Sequence, residues 1–336
     1  MAELFADLLG QPRAVALLES VLVRQRFAPA YLFAGPDGVG RRLATLRFLE
    51  GVLAGPETPL AGLPSLRRRL GMGNHPDLLW VEPTYQHQGK LVPLSRAEEE
   101  GVNRRTPAQL RLEQVREVSR FLARSPVEAE RCLVVLEGAE TMAEGAANAL
   151  LKTLEEPGGG LLILISGAPE QLLATIRSRC QQIPFARLSP DLVQEVLARA
   201  AVQTPPGESE AAPESDPAEL LELAAGSPGA LLEHRRQWHA LPEGLAERLL
   251  TLSADPLEAL ALARDLSEAL EGEQQLWLLD WWQLALWRRH RRETELRRLE
   301  RLRRHLLAYV QPRLAWEVAL LEVAGSGGFA AVGTRS

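Results

Sequence analysis

Along the first two hundred residues, apolar positions fall into two alternating patterns. Short continuous runs, "AYLFAG" (30–35), "DLLWVEP" (77–83), "RCLVVLEGAE" (131–140) and "LLILISGAP" (161–169), predict buried strands. Between them the apolar period lengthens to that of a helix. Pro12 starts one with Val15, Leu18 and Leu22 on a face, and "RRLATLRFLEGVL" (41–53) predicts a second. A third is predicted from Thr106–Pro107 with Leu112, Val115, Val118 and Leu122, and a fourth over "AEGAANALLKTLEE" (143–156), stopped by Pro157 and three glycines. Residues 51–74 are broken by Gly and Pro and predict an insertion with at most one short helix. The polar stretch 83–106 predicts a loop. Strands alternating with helices predict an α/β domain, a parallel sheet with helices on both faces.

After "CQQIPFARLSP" the strand signals cease. Ser189–Pro190 opens a helix, 203–218 is a flexible acidic insertion, and "PAELLELAAGSPGALLEHRRQW" predicts helix, turn and helix. Residues 245–323 carry helical spacing almost throughout. The expected division is therefore an α/β domain at 1–187, a small helical domain at 188–244, an all-α domain at 245–324 and a flexible tail at 325–336. There is no internal repeat.

Composition narrows the chemistry. With 38 basic against 44 acidic side chains and a formal charge of -6, the chain as a whole is no electrostatic trap for nucleic acid, so any DNA contact is local or shared with partners. Two cysteines, Cys132 and Cys180, cannot make a four-ligand zinc site, and the histidines show no metal spacing. No metal is expected. The opening "MAELFADLLGQ" lacks a charged-then-apolar signal pattern and no run of 18 apolar residues occurs, which predicts a cytoplasmic protein with reduced thiols.

The eight residues "GPDGVGRR" (35–42) lie between a predicted strand and a predicted helix, with the spacing G-x-x-x-x-G-K-[ST] of a phosphate-binding loop. Gly35, Gly38, Val39 and Gly40 keep the backbone of that cradle. The lysine position, however, holds Arg41 and the Ser/Thr position Arg42. Arginine is longer, planar and differently hydrated than the point charge that reaches the β and γ phosphates. A guanidinium where a hydroxyl would ligate Mg²⁺ repels the ion. Two readings of the glycines stay open: a loop whose amides still meet an anion, or a tight turn kept for packing.

The words "LLGQ" (8–11), "AYLFAGPDGVG" (30–40), "NHPDLLWVEP" (74–83), "NALLKTLEEP" (148–157), "LLATIRSRCQ" (172–181) and "GSPGALL" (226–232) cover most of residues 1–235. Through them the chain resembles the AAA+ clamp-loader subunits of bacterial DNA polymerase III, most closely the delta-prime class. The resemblance implies an AAA+ α/β nucleotide-binding domain, a helical lid and an all-α collar that holds a pentameric ring. It places Glu137 where the family uses a magnesium-holding Asp, Gly138 where it uses the catalytic Glu, and Ser166 where a side chain senses the γ-phosphate. Arg179, in the Ser-Arg-Cys word, is implied as an arginine finger acting in trans on the neighbouring subunit's ATP. The glycine-rich word at 226 offers no arginine to close a lid on nucleotide.

Together these departures imply a subunit without ATPase activity of its own. Its partners would be the motor (gamma/tau) and delta subunits, with the sliding clamp and primer-template DNA reached through the complex. No cofactor is required on this reading, and weak ATP, ADP or phosphate at the degenerate loop is the one ligand left open. Many family members carry a four-cysteine zinc module in the insertion; residues 51–74 hold no cysteine, so no zinc is expected. Arg177 is assigned a structural ion pair, and Cys180, with no His or Asp motif nearby, is not a nucleophile. Lys152, Glu155 and Glu156 suit an interface, a DNA-facing surface or a solvated helix end. The stretch "WRRHRRETELRRLERLRRHLL" suits a solvated or interface helix better than a nucleic-acid site, because Leu296, Leu299, Leu302 and Leu306 keep one apolar face. Trp277, Trp281 and Trp282 suit collar core or subunit contact better than stacking platforms. The rival functions are an active motor ATPase, which needs Lys and Ser/Thr at 41 and 42, and a non-replicative AAA+ adaptor.

Overall fold

Seven strands and fourteen α-helices are set out in a computed structural model that describes residues 4–54, 63–102, 107–156, 158–203, 217–308 and 310–325. The tail and most of the acidic insertion lie outside them. The chain divides into two compact units, one of Met1–Pro205 with Gly226–Gly229, the other of Pro206–Ala225 with Ala230–Ser336.

The first unit is built on strands β1 (Ala30–Ala34), β2 (Leu78–Val81), β3 (Thr84–His87), β4 (Lys90–Pro93), β5 (Leu133–Leu136), β6 (Leu161–Ser166) and β7 (Gln181–Pro184). Its helices are α1 (Pro12–Arg24), α2 (Arg41–Ala54), α3 (Leu63–Gly71), α4 (Leu112–Leu122), α5 (Glu144–Glu155), α6 (Ala174–Arg177) and α7 (Pro190–Gln203). Five strands form a parallel sheet in the order β2-β5-β6-β1-β7. Its side chains divide by alternation. Leu32, Val134, Leu136, Leu162 and Leu164 meet Val115, Val118 and Leu122 of α4, Leu150 and Leu154 of α5 and Ile176 of α6. On the other face Tyr31 and Phe33 pack against Phe48 of α2. Apolar helices on both faces explain why these strands read as continuous apolar runs. Helix α2 is buried well beyond its apolar residues: Glu50 is fully buried and takes two hydrogen bonds of 3.0 Å from Arg67 of α3 and another of 3.0 Å from Arg47.

Two expectations are corrected. Residues 83–106 are not all loop, because β3 and β4 pair as an antiparallel hairpin closed by Gln88 (φ 49°) and Gly89 (φ 78°). Two consecutive positive φ values turn the chain with the twist that adjoining strands prefer. Tyr85 faces Val92 across the ladder and both are buried with Ala97, Val102 and Ala108. The following helix starts at Leu112 rather than at Thr106–Pro107. Gln109 is held extended by two backbone bonds to Thr84, of 3.0 and 3.1 Å, so no helix can run through it into Leu112.

The second unit is helical in its described part, with α8 (Ala218–Ala224), most of α9 (Pro228–His239), α10 (Leu245–Leu250), α11 (Pro256–Ala269), α12 (Gly272–His290), α13 (Glu293–Leu307) and α14 (Pro312–Gly325). Asp255 caps α11 by accepting from Leu257 N at 2.9 Å, and Pro256 takes the first helical position. Trp281, Trp282 and Trp316 are fully buried, and Trp316 donates to Gln275 Oε1 at 2.9 Å. The core assignment of Trp281 and Trp282 holds, and Trp277 donates to His234 Nδ1 at 3.0 Å. On α13, Arg297 pairs with Glu293, Arg301 with Glu322 and Arg303 with Asp280, while Leu299 and Leu302 are buried. These arginines are matched by carboxylates of their own unit. No helix among the described residues is long and apolar enough to cross a membrane.

Candidate functional site

The loop 35–42 leaves β1 at the carboxyl edge of the sheet, where β1 lies between β6 and β7. Open α/β sheets bind ligands at such an edge, where the strand order reverses. The parallel register sets Ala34 beside Ser166 and Leu136 beside Leu164, so Gly35, Ser166 and Glu137 arrive at one edge from three strands. Gly35 donates to Ser166 O at 3.2 Å. Gly38 (φ 72°) and Gly40 (φ 100°) take backbone conformations that favour glycine.

The loop is tied down by its own carbonyls. Ser227 Oγ donates to Asp37 O at 2.6 Å, Gly229 N to Gly38 O at 3.0 Å, and Gln11 Nε2 to Val39 O at 3.2 Å. Gln11 also exchanges two bonds with Ala186 beyond β7, so it joins the loop to the edge strand. A side chain at Gly229 would stand 2.7 Å from Gly38 Cα, and Val39 itself is buried.

A concavity of about 360 Å³ opens above the loop, lined by Asp37, Gly38, Gly40, Arg41, Arg42, Glu137 and Ile165. Its charges face one another. Arg41 is nine-tenths buried and bonds Asp37 through Nη2, while its Nε and Nη1 are buried with no hydrogen-bond partner among the described residues. Arg42 Nη1 donates to Glu137 Oε2 at 2.6 Å, and its guanidinium lies 4.7 Å from the Trp80 ring centre. Trp80 Nε1 donates to the same carboxylate oxygen at 2.9 Å. Glu137, at the position where the resemblance puts a magnesium-holding Asp, therefore holds an arginine and an indole. Gly138 adopts φ 63°, and a Cβ there would come 2.7 Å from Pro83 Cγ. Ser166 is fully buried and its Oγ has no hydrogen-bond partner among the described residues.

Arg179 lies apart from this cluster, just past α6. It is exposed, donating from Nη2 to Glu155 Oε1 at 2.9 Å and from Nη1 to Thr175 O at 3.1 Å. Arg177 departs from its expected role. It forms no ion pair among the described residues, and its Nε is buried without a partner. Burial pushes the Cys180 thiol up to about 11, which keeps it protonated at neutral pH and fits its reading as a non-nucleophile. The structure thus gathers Gly35, Gly38, Val39, Gly40, Arg41, Arg42, Glu137, Gly138 and Ser166 at one edge and sets Arg179 on a separate surface.

Sequence reasoning missed Asp37, Trp80, Glu140 and Ser227. Glu140 Oε1 accepts from Gly167 N at 2.9 Å, steadying the turn after β6. Asp37 stands four residues before Arg41 in the loop, a spacing that could have signalled their pair, whereas Trp80, Glu140 and Ser227 carry no local signal because each partner is remote in sequence.

Comparison with known proteins places the chain. Residues 10–189 match the family described as "DNA polymerase III, delta subunit", and residues 191–323 match "Cyanobacterial DNA polymerase III delta prime, C-terminal domain". Among curated relatives, the DNA polymerase III subunit delta' of Bacillus subtilis is 31% identical over 190 residues, 56% of this chain and 51% of the relative. That of Pseudomonas aeruginosa is 34% identical over 224 residues, 65% and 58%. The chain thus spans between half and three fifths of their length. A DNA polymerase III gamma subunit-related protein of Thermotoga maritima superposes with a TM-score of 0.53 at 17% identity, covering 94% of this chain and 99% of that one, which shows the shared fold.

Proposed function

Because the chain belongs to the DNA polymerase III delta subunit family, we propose that it is a clamp-loader subunit of the delta-prime type, which hydrolyses no ATP itself and lends Arg179 to the ATP of a neighbouring motor subunit. The observation that carries the first half is the Arg42–Glu137 pair. A magnesium–nucleotide site needs a free carboxylate for the metal shell and free cationic donors for the phosphates. Here Glu137 is bonded to Arg42 and Trp80, and Arg41 to Asp37. The residues present do not fit a magnesium-bound triphosphate. Weak phosphate or nucleotide contact is confined to the loop backbone at Gly38, Val39 and Gly40 and to the unpartnered nitrogens of Arg41, and the function requires neither a cofactor nor zinc.

The second half rests on Arg179, an exposed guanidinium in an intact Ser-Arg-Cys word. Arginine fingers neutralise charge on a transferring phosphoryl group, and in other NTPases they contribute on the order of 10³ to 10⁵ in rate. On this reading the protein is cytoplasmic and assembles with gamma/tau and delta subunits in a pentamer. Its α/β, lid and collar portions (1–187, 188–244, 245–324) act as three domains. The complex loads the sliding clamp onto primer-template DNA for the DNA polymerase III holoenzyme.

Two measurements test this. The isolated chain with Mg²⁺ and ATP should show no turnover above background, and a robust magnesium-dependent rate would overturn the inactive-site half. In the reconstituted loader, Arg179→Ala should leave the complex assembled and cut DNA-stimulated hydrolysis by at least about tenfold. Unchanged hydrolysis would sink the finger.

A further inference from the structure

Resting on the finger reading of Arg179, we propose that Glu155 is the positioning residue that aims its guanidinium. Sequence alone leaves Glu155 between an interface, a DNA-facing surface and a solvated helix end. In the fold it is the last residue of α5, and its Oε1 accepts from Arg179 Nη2 at 2.9 Å while Thr175 O accepts from Nη1 at 3.1 Å.

Both anchors rest on the core. Leu154, next to Glu155, and Ile176, next to Thr175, are buried in the same cluster that holds Leu150 and the inner face of the sheet. The carboxylate and the carbonyl therefore keep their separation as long as the sheet and its helices keep theirs. Thr175 O also accepts from Ser178 Oγ at 3.1 Å, which draws the Ser-Arg-Cys turn toward the end of α6.

The chemistry of arginine makes two anchors matter. A free guanidinium at the end of a long side chain samples many rotamers, and a finger must meet its phosphate in one of them. A guanidinium has five N–H donors. Glu155 and Thr175 take one from each terminal nitrogen, leaving Nε–H and one N–H on each of Nη1 and Nη2 for an anion supplied from outside. The plane of the group is set before the neighbour arrives.

Arg179 and Glu155 are both exposed, and an ion pair of that kind contributes little to folding. Its value lies in orientation, so Glu155→Ala is expected to melt at the temperature of the unaltered protein. That makes the variant usable in the assembled complex.

The test is steady-state ATP turnover by the reconstituted loader with sliding clamp and primed DNA, across ATP concentrations, for E155A, E155Q, R179A and the E155A/R179A pair. E155A should lower kcat roughly three- to tenfold and leave the KM for ATP unchanged, as expected when a transition-state contact is misaimed. E155Q keeps an acceptor oxygen at the same reach and should recover at least about half of the lost rate. Adding E155A to R179A should cost nothing further, because a residue acting only through Arg179 has nothing left to position. A kcat for E155A at or above the unaltered rate overturns the proposal, the latter by showing that Glu155 restrains the finger. So does the absence of recovery in E155Q, or an equal further loss in the double variant. If R179A itself keeps the unaltered rate, the finger reading has failed and the Glu155 role falls with it. A deficient R179A beside an unaffected E155A rejects the positioning role alone.

Discussion

Arg42 is bonded to a carboxylate 95 positions further along the chain, and that one contact decides how the degenerate loop behaves. Sequence showed that the lysine and hydroxyl of a working loop were replaced; it did not show that the replacements would find partners inside the same concavity. Gly138 adds a backbone reason why repair at a single position fails. With φ at 63° and Pro83 Cγ 2.7 Å from where a Cβ would stand, Gly138→Glu should lower stability by roughly 1–3 kcal/mol, read as a lower urea midpoint. It should gain no ATP turnover, since Arg42 would still hold Glu137. A variant as stable as the original would show that the left-handed turn carries no constraint. At this scale the glycines and both arginines were legible, because loop spacing is a local signal. The Trp80 and Glu155 contacts were not, since nothing near those residues in the chain marks their partners; the Asp37–Arg41 pair, four positions apart inside the loop, was within reach of sequence reasoning and was passed over.

Among the elements, the strongest lesson comes from the segment between α4 and β5. The fully buried Asp77 just before β2 accepts the amides of Val127, Glu128 and Ala129 at 2.7, 2.7 and 2.8 Å. Burial alone would raise its carboxyl, but the three amides outweigh that and hold it below the ordinary carboxylate range. The carboxylate's contribution to stability is therefore complete above the ordinary value near 3.8 and is lost as pH falls through the lower folded value. Asp77→Asn turns an NH₂ toward amide donors and should cost roughly 2–4 kcal/mol at neutral pH by chemical denaturation. A loss under about 0.5 kcal/mol would contradict the capping role. Periodicity located four of the five strands of the main sheet and missed β7, whose short half-exposed run blends into the following loop. It missed the β3–β4 hairpin, whose turn is Gln-Gly rather than Asn-Gly and whose buried side chains, Thr84, Tyr85 and Val92, are too few to form a pattern. It also started α4 early, because pairing of Gln109 with Thr84 is a long-range event.

Across the whole molecule, His75 in the first compact unit is buried and His234 in the second is half-buried, and each accepts a hydrogen bond. His75 Nδ1 takes Asp77 N at 3.2 Å in the first, and His234 Nδ1 takes Trp277 Nε1 at 3.0 Å in the second. Burial lowers both below the ordinary histidine value, assisted at His75 by Arg69 and opposed there by Glu128 and Asp77, and opposed at His234 by a backbone hydrogen bond with Leu223 and by Glu233 and Asp280. Depressed values mean that the folded units favour neutral imidazole. Their contribution is present above about pH 6.5 and is lost as pH falls through the lower folded values. The melting temperature should therefore drop between pH 7.5 and 5.5, and His75→Gln with His234→Gln, which keep an acceptor, should shrink that drop. An undiminished drop in the double variant would assign the acid sensitivity elsewhere. By itself the sequence determined the α/β-then-α order, the family, the glycine cradle without its lysine, and the exposed Ser-Arg-Cys arginine. Each of these follows from spacing within a few residues or from words that match a family. Tertiary structure alone decided that Arg42 closes on Glu137, that Glu50 lies buried under Arg67, and that Glu155 takes hold of Arg179. Those pairs join residues 95, 17 and 24 positions apart, and only the packing of the sheet and its helices brings them within bonding distance.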